Sequence, residues 1–140
     1  MRHKLLIALF FALAGAAGAC APRLGDGCSA STDCSVNGDR YCDRSQPGGY
    51  CTIVDCAPGS CGDEGWCVRF NPDEQRLSRD FCMAKCSDTG DCDRDRYVCR
   101  SAAQLNGDPD PDNPDSERKE RVAEVLDDKK GGKFCVVETE

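Results

Sequence analysis

The sequence predicts a small disulfide-rich fold: three consecutive four-cysteine repeats of short β ribbons and loops, with one helix inserted in the third repeat. Three observations predict it. The chain carries 13 cysteines in 140 residues. Twelve of them, from Cys28 onward, fall into three groups of four with similar spacing. Leu, Ile, Val and Phe make up only 16 of the 121 residues after position 19, well under the roughly 20% below which a charged chain is expected to stay disordered. Apolar burial alone does not offset an ordering cost of about 1–2 kcal/mol per residue. Disulfides are the obvious agent, since each contributes about 2–4 kcal/mol by restricting the unfolded chain and persists in an oxidising compartment.

The first element, residues 1–19, reads as an export leader. Arg2, His3 and Lys4 form a positive start, residues 5–14 (LLIALFFALA) are continuously apolar, and small residues (GAAGA) lead to Cys20. A run of that length is too short to span a hydrocarbon core of about 30 Å as a helix. Two processing routes are open. Ala17 and Ala19 form an A-x-A site suited to ordinary signal-peptide cleavage. The stretch Ala17-Gly18-Ala19-Cys20 also resembles the lipobox of bacterial lipoproteins, with Ala17 where that family usually has Leu.

Cysteine parity favours lipidation, because an ordinary secreted product would keep one odd thiol. The resemblance implies a diacylglycerol on the Cys20 sulfur and a further acyl chain, such as palmitate, on its amine. Multiple chains give stable anchoring where one does not. Ala21 stands where an Asp would signal inner-membrane retention in the best-known bacterial sorting pattern. The resemblance therefore implies the outer membrane of a Gram-negative bacterium. Residues 20–27 are expected to form a short lipid-anchored tether.

The repeats follow as 28–55, 56–85 and 86–140. The first holds Cys28, Cys34, Cys42 and Cys51; the second Cys56, Cys61, Cys67 and Cys82; the third Cys86, Cys92, Cys99 and Cys135. Aromatics agree with this phasing, since Tyr50, Phe81 and Phe134 each precede a fourth cysteine. Tyr41 and Trp66 precede the third cysteine in two groups, and Tyr97 lies one residue further back in the last. The strings GGYCTIV (48–54) and GGKFCVV (131–137) look alike. Agreement among cysteines, aromatics and glycines marks an internal repeat. Each ring is expected to cover its own repeat's disulfides as a miniature core. Asn37-Gly38 and Pro47-Gly48-Gly49 are turn signals, and residues 50–54 have strand propensity.

This spacing resembles the small cysteine-rich modules of extracellular proteins, including EGF-like domains, the Dickkopf amino-terminal cysteine-rich region and similar modules of bacterial surface lipoproteins. Four cysteines by themselves allow three pairings. The EGF-like resemblance implies first-to-third and second-to-fourth: Cys28–Cys42, Cys34–Cys51, Cys56–Cys67, Cys61–Cys82, Cys86–Cys99 and Cys92–Cys135.

The third repeat carries a long insertion, residues 106–132. Its first part, NGDPDPDNPD, reads as a stiff exposed loop because its prolines remove backbone donors and favour extended neighbours. A helix is expected over 116–129, with Val122, Val125 and Leu126 on one face, Glu117 and Arg121 as an i,i+4 pair and Gly131 as the stop. Asp108, Asp110 and Asp112 are weak calcium candidates at alternating positions. The EF-hand frame then fails at Asn113 and Lys119. The run Asp88, Asp91, Asp93 and Asp95 is acidic too, but Arg94 and Arg96 interrupt it. A solvated acidic surface is the expected role of both clusters.

Composition narrows function. The charge of −7 becomes −9 once the leader removes Arg2 and Lys4, and no basic stripe exists to neutralise phosphates, which argues against a nucleic-acid partner. The single histidine, His3, lies in the leader, so the mature chain has no His-based catalysis or metal ligation. No pair of cysteines has C-x-x-C spacing, so neither a redox pair nor a zinc ribbon is indicated. The expectation is a non-catalytic, lipid-anchored surface or periplasmic interaction module without a cofactor, with a protein partner of unspecified identity and specificity lodged mainly in the long insertion. Alternatives are a disulfide-rich protease inhibitor presenting that loop or residues 71–79 (NPDEQRLSR), and a calcium-dependent structural module.

Overall fold

The computed structural model describes residues 21–107 and 121–138. Short elements alternate with turns. A one-turn helix α1 (Ser31–Cys34) precedes β1 (Tyr41–Cys42) and β2 (Cys51–Thr52), then β3 (Gly65–Phe70), β4 (Arg79–Ala84) and β5 (Tyr97–Ser101). The helix α2 (Ala102–Asn106) leads toward the insertion, and β6 (Ala123–Val125) and β7 (Lys133–Val137) follow it. The strands form three antiparallel sheets: β1 with β2, the order β4-β3-β6, and β5 with β7.

Six disulfides join these ribbons. They are Cys28–Cys42, Cys34–Cys51, Cys56–Cys67, Cys61–Cys82, Cys86–Cys99 and Cys92–Cys135. In every group the third and fourth cysteines lie directly opposite on paired strands: Cys42 with Cys51, Cys67 with Cys82, Cys99 with Cys135. Each ribbon is thus tied to the loop that precedes it. The first group shows how tightly this binds the backbone. Gly49 has φ +70°, and a Cβ there would lie 2.0 Å from the Cys28 carbonyl oxygen, so only glycine closes this turn.

The turns between first and second cysteines share a second device. In the first group Asp33 accepts backbone N–H groups from Ser29 (2.8 Å) and Ala30 (3.0 Å). In the third, Asp91 accepts from Ser87 (2.6 Å) and Asp88 (3.3 Å). In the second, the Ser60 hydroxyl accepts from Ala57 N–H at 3.0 Å. The backbone donors of Ser29 and Ser87 hold the carboxyls of Asp33 and Asp91 below their ordinary 3.8. Because the folded values lie below the unfolded ones, this stabilisation is complete above about pH 4 and is lost as pH falls through the lowered values. Asp33→Asn and Asp91→Asn are each expected to flatten the acid limb of a melting-temperature profile. Carboxyl NMR titration should place both midpoints below 3.8; midpoints at or above it would remove the role.

The three cysteine groups do not stand in an extended row. One core draws on all of them: Tyr50 from the first, Val68 and Met83 from the second, Tyr97, Val98, Phe134 and Val136 from the third. The aromatics before the fourth cysteines converge here rather than covering separate modules. Phe70 lies 6.2 Å from Phe81 and 6.4 Å from Phe134 between ring centroids, and Tyr50 stacks on Tyr97 at 5.7 Å. Offset and edge-on arrangements of this kind add about 0.5–1.5 kcal/mol beyond area burial.

Two expected elements take other forms. Of the helix expected over 116–129, residues 116–120 lie outside the described residues and the remainder is not helical. Ala123–Val125 is strand β6, added to the free edge of β3 with Val68 opposite Val125 and Phe70 opposite Ala123. Ala123, Val125 and Asp127 are buried in alternation, while Val122 is exposed, a period of two rather than 3.6. Asp127 continues the inward face by accepting N–H groups from Gly59 (2.6 Å) and Cys67 (2.7 Å). The second correction concerns the tether. Residues 23–26 are packed onto the body: Leu24 is buried among Cys56, Cys61, Cys67 and Cys82, Gly25 N–H donates to Cys51 O, and Cys51 N–H donates to Asp26 O, both at 2.9 Å.

Candidate functional site

The insertion is the part of the third group with no counterpart in the others, and the structure clamps both its ends to the body. Ser101 caps α2, accepting Gln104 N–H at 3.2 Å while donating its own N–H to the Gln104 side chain at 2.9 Å. Gly107 ends the helix in the left-handed region. Asn106 then spans the stem. Its Oδ1 accepts the N–H groups of Val122 (2.8 Å) and Ala123 (2.9 Å), and its Nδ2 donates to Ala123 O at 3.0 Å. Arg121 closes the far side against Asp73 on the β3–β4 loop, with its Nη2 at 2.6 Å. Asp73 and the nearby Glu124 hold this guanidinium above its ordinary pKa, Asp73 dominating by hydrogen bond and charge. The two described flanks of the insertion therefore meet each other through Asn106 and meet the β3–β4 hairpin through Arg121.

A cleft of about 370 Å³ opens beside this stem, lined by Phe70, Phe81, Leu105, Val122, Val136 and Val137 among others. Asp43, Ser45, Gln46 and Asn71 stand around it. Its lining is mainly hydrophobic with a few polar side chains, a pattern that suits binding of another molecule.

The other sequence candidates distribute as follows. Cys20, Asp108, Asp110 and Asp112 lie outside the described residues. Asp88 and Asp91 turn their carboxylates onto their own loop, Asp88 accepting Gly90 N–H at 2.8 Å, which commits them to backbone donors. Residues 71–79 form a folded turn. Glu74 O accepts N–H groups from both Leu77 and Ser78 at 2.8 Å, leaving Leu77 exposed. Among the described residues, three sets of potential metal ligands approach within 4.8 Å of one another: Cys28, Cys34 and Cys51; Cys56, Cys61 and Cys82; Cys86, Cys92 and Cys135. All nine sulfurs are committed to disulfides, and a metal site would require their reduction.

A third surface, absent from the sequence reading, surrounds Trp66. Gly132 packs so closely on the indole that a Cβ there would meet Trp66 Cε2 at 2.6 Å. The Lys85 ammonium lies 4.1 Å from the ring centroid, within cation–π range. Lys129 and Lys133 line the same depression of about 430 Å³. The signal existed in the sequence: four of the five lysines after residue 20 are Lys85, Lys129, Lys130 and Lys133. Their proximity to one another depends on the fold.

Comparison with known proteins finds no matching family model, no matching curated protein and no matching solved structure. Among the described residues, no helix is long and apolar enough to cross a membrane.

Proposed function

We propose that this chain is a non-catalytic interaction module, exported and held by a lipid on Cys20 at the outer membrane of a Gram-negative bacterium. The observation that carries the reading is the fate of the cysteines. Six disulfides use all twelve from Cys28 to Cys135, which leaves Cys20 as the odd one by count, directly after a leader-like segment. Disulfide dependence agrees with an exported protein. The three groups are read as repeats of one ribbon unit. Support for that comes from their common opposition of third and fourth cysteines and their common turn-closing acceptor, Asp33, Ser60 or Asp91.

An interaction role rests on the clamped insertion stem and the apolar cleft beside it. Protease inhibition through residues 71–79 has less support, because that loop is folded on itself instead of extended for a protease cleft. Calcium binding by residues 88–95 has less support because Asp88 and Asp91 already accept backbone donors.

The deciding experiment is the intact mass of membrane-extracted protein, alkylated before and after reduction. A terminus at Cys20 bearing acyl mass, with twelve thiols appearing only on reduction, is the expected result. An unmodified terminus with one reactive thiol before reduction would replace the anchored protein with a secreted one.

A further inference from the structure

The packed start of the chain has a consequence for the lysine surface around Trp66. The geometry points to this surface as a contact for anionic lipid headgroups, which holds the anchored protein in one orientation on its own membrane. The inference rests on the lipid-anchor reading, and the anchor position is what makes it specific.

Among the described residues, Pro22 is the first with a hydrogen bond to the body: its carbonyl accepts Arg40 Nη1 at 2.6 Å. Cys20 is two residues earlier, and two residues reach at most about 7 Å. A lipid on Cys20 therefore brings the surface next to Pro22 against the headgroup layer. From Pro22 a chain of contacts leads through Arg40 and Glu64 to Lys85. Arg40 Nη2 pairs with Glu64 at 3.2 Å, Glu64 O accepts Lys85 N–H at 2.9 Å, and the Lys85 ammonium sits over Trp66. Arg23, next to Pro22, shares a cleft with Lys85.

The chemistry of the face suits that position. Tryptophan is favoured at membrane interfaces, and lysines near an anionic surface are attracted within a Debye length. Lys129 and Lys133 are exposed at the rim. Lys130 folds back, donating to Val125 O at 2.9 Å and Leu126 O at 3.3 Å. The acidic neighbours are Asp26, Asp63, Glu64, Asp91 and Asp93, which line the cleft that Arg23 shares with Lys85, together with Asp127 and Asp128. Glu64 is paired with Arg40, Asp91 accepts backbone donors, and Asp127 is buried with both oxygens occupied. Asp26 accepts Arg23 N–H at 2.7 Å, and Asp63, Asp93 and Asp128 remain as opposing charges. On a chain whose net charge is −9 once the leader is removed, a local lysine face is where an anionic surface meets attraction rather than net repulsion.

Trp66 is the chain's single tryptophan, so its fluorescence reads the surface directly. The test uses two forms of the protein with all six disulfides verified by mass: the acylated protein reconstituted in vesicles, and a Cys20→Ser form without the anchor. Vesicles are phosphatidylcholine with or without phosphatidylglycerol. The expected results are quenching of Trp66 by bromolipid in the acylated form, and binding of the Cys20→Ser form only when phosphatidylglycerol is present. Lys129→Gln and Lys133→Gln, at exposed positions that spare the fold, should each weaken that binding about five-fold. Equal behaviour with and without phosphatidylglycerol, or no effect of either lysine change, would overturn the inference while leaving the anchor intact. Binding of polyglutamate but not of vesicles would also end it, in favour of an acidic protein partner. Failure of the anchor itself shows separately, as a missing acyl mass.

Discussion

Tyr50→Phe is expected to destabilise the oxidised protein by about 1–3 kcal/mol, the cost of leaving buried hydrogen-bonding groups without a partner. Tyr50→Ala should cost about 3–5 kcal/mol, in the range of large aromatic truncations in cores. Tyr50 comes from the first cysteine group, yet its hydroxyl accepts Ala84 N–H from the second at 2.9 Å and donates to Cys135 O of the third at 3.2 Å. The ring is 2% exposed and stacks on Tyr97. Phenylalanine keeps the stack and removes only the bridge, so the two variants separate packing from hydrogen bonding. Urea denaturation without reductant measures both. A Phe variant as stable as the parent would sink the bridging role.

A pH signature accompanies this. Burial pushes the Tyr50 phenol above its ordinary value of 10.0, which keeps it a donor in the folded state. Its folded pKa is raised, so its contribution is fully present below the ordinary value and declines as pH rises beyond it, where the unfolded phenol ionises first. The Phe variant should therefore lose stability less steeply than the parent on the alkaline side.

The parts legible in the sequence were those written in local spacing. Cysteine intervals and low aliphatic content announce a disulfide-rich chain of short antiparallel strands, and Pro47-Gly48-Gly49 marks a real turn. What escaped was long-range. Spacing alone leaves three pairings of four cysteines open; the six pairs implied by the EGF-like resemblance are those of the structure, whereas the opposition of Cys42 and Cys51 across a ribbon needed the fold. Strand β6 was hidden because its inward positions are only Ala123 and Val125, the next inward residue beyond it is Asp127, and Val122 and Leu126 fall at helical spacing. Asp127 is buried because Gly59 and Cys67, both from the second group, supply its donors. Leu24, alone among Pro, Arg, Gly and Asp, has no periodic neighbours to mark it as core. Asn106 reads as the start of a loop, whereas its partners Val122 and Ala123 lie across the insertion. The recurrence of Cys-Ser-x-x-x-Asp-Cys at 28–34 and 86–92 was visible in the letters. Its meaning, a carboxylate closing its own turn, needed the geometry.

The second large effect concerns the disulfide with the widest reach. Cys92–Cys135 spans 43 residues, against 11 for Cys56–Cys67. Chain-entropy reasoning gives losses of about 4 kcal/mol for the longer loop and about 3 kcal/mol for the shorter. The longer loop contains α2, the insertion and β6. Without Cys92–Cys135, β7 is held by its pairing with β5, the Cys86–Cys99 link on β5 and the Tyr50 bridge. Both its sulfurs also lie in the shared core, whereas the Cys56–Cys67 pair packs in the smaller cluster around Leu24. The double variant Cys92→Ala/Cys135→Ala should therefore be the less stable of the two by about 1 kcal/mol or more. It should also lose amide-exchange protection in β6 and β7 before β1 and β2. Denaturation midpoints with the other five disulfides verified by mass provide the comparison. Equal costs for the two pairs would mean that loop length does not control stability here, and that the insertion is already restrained in the unfolded chain.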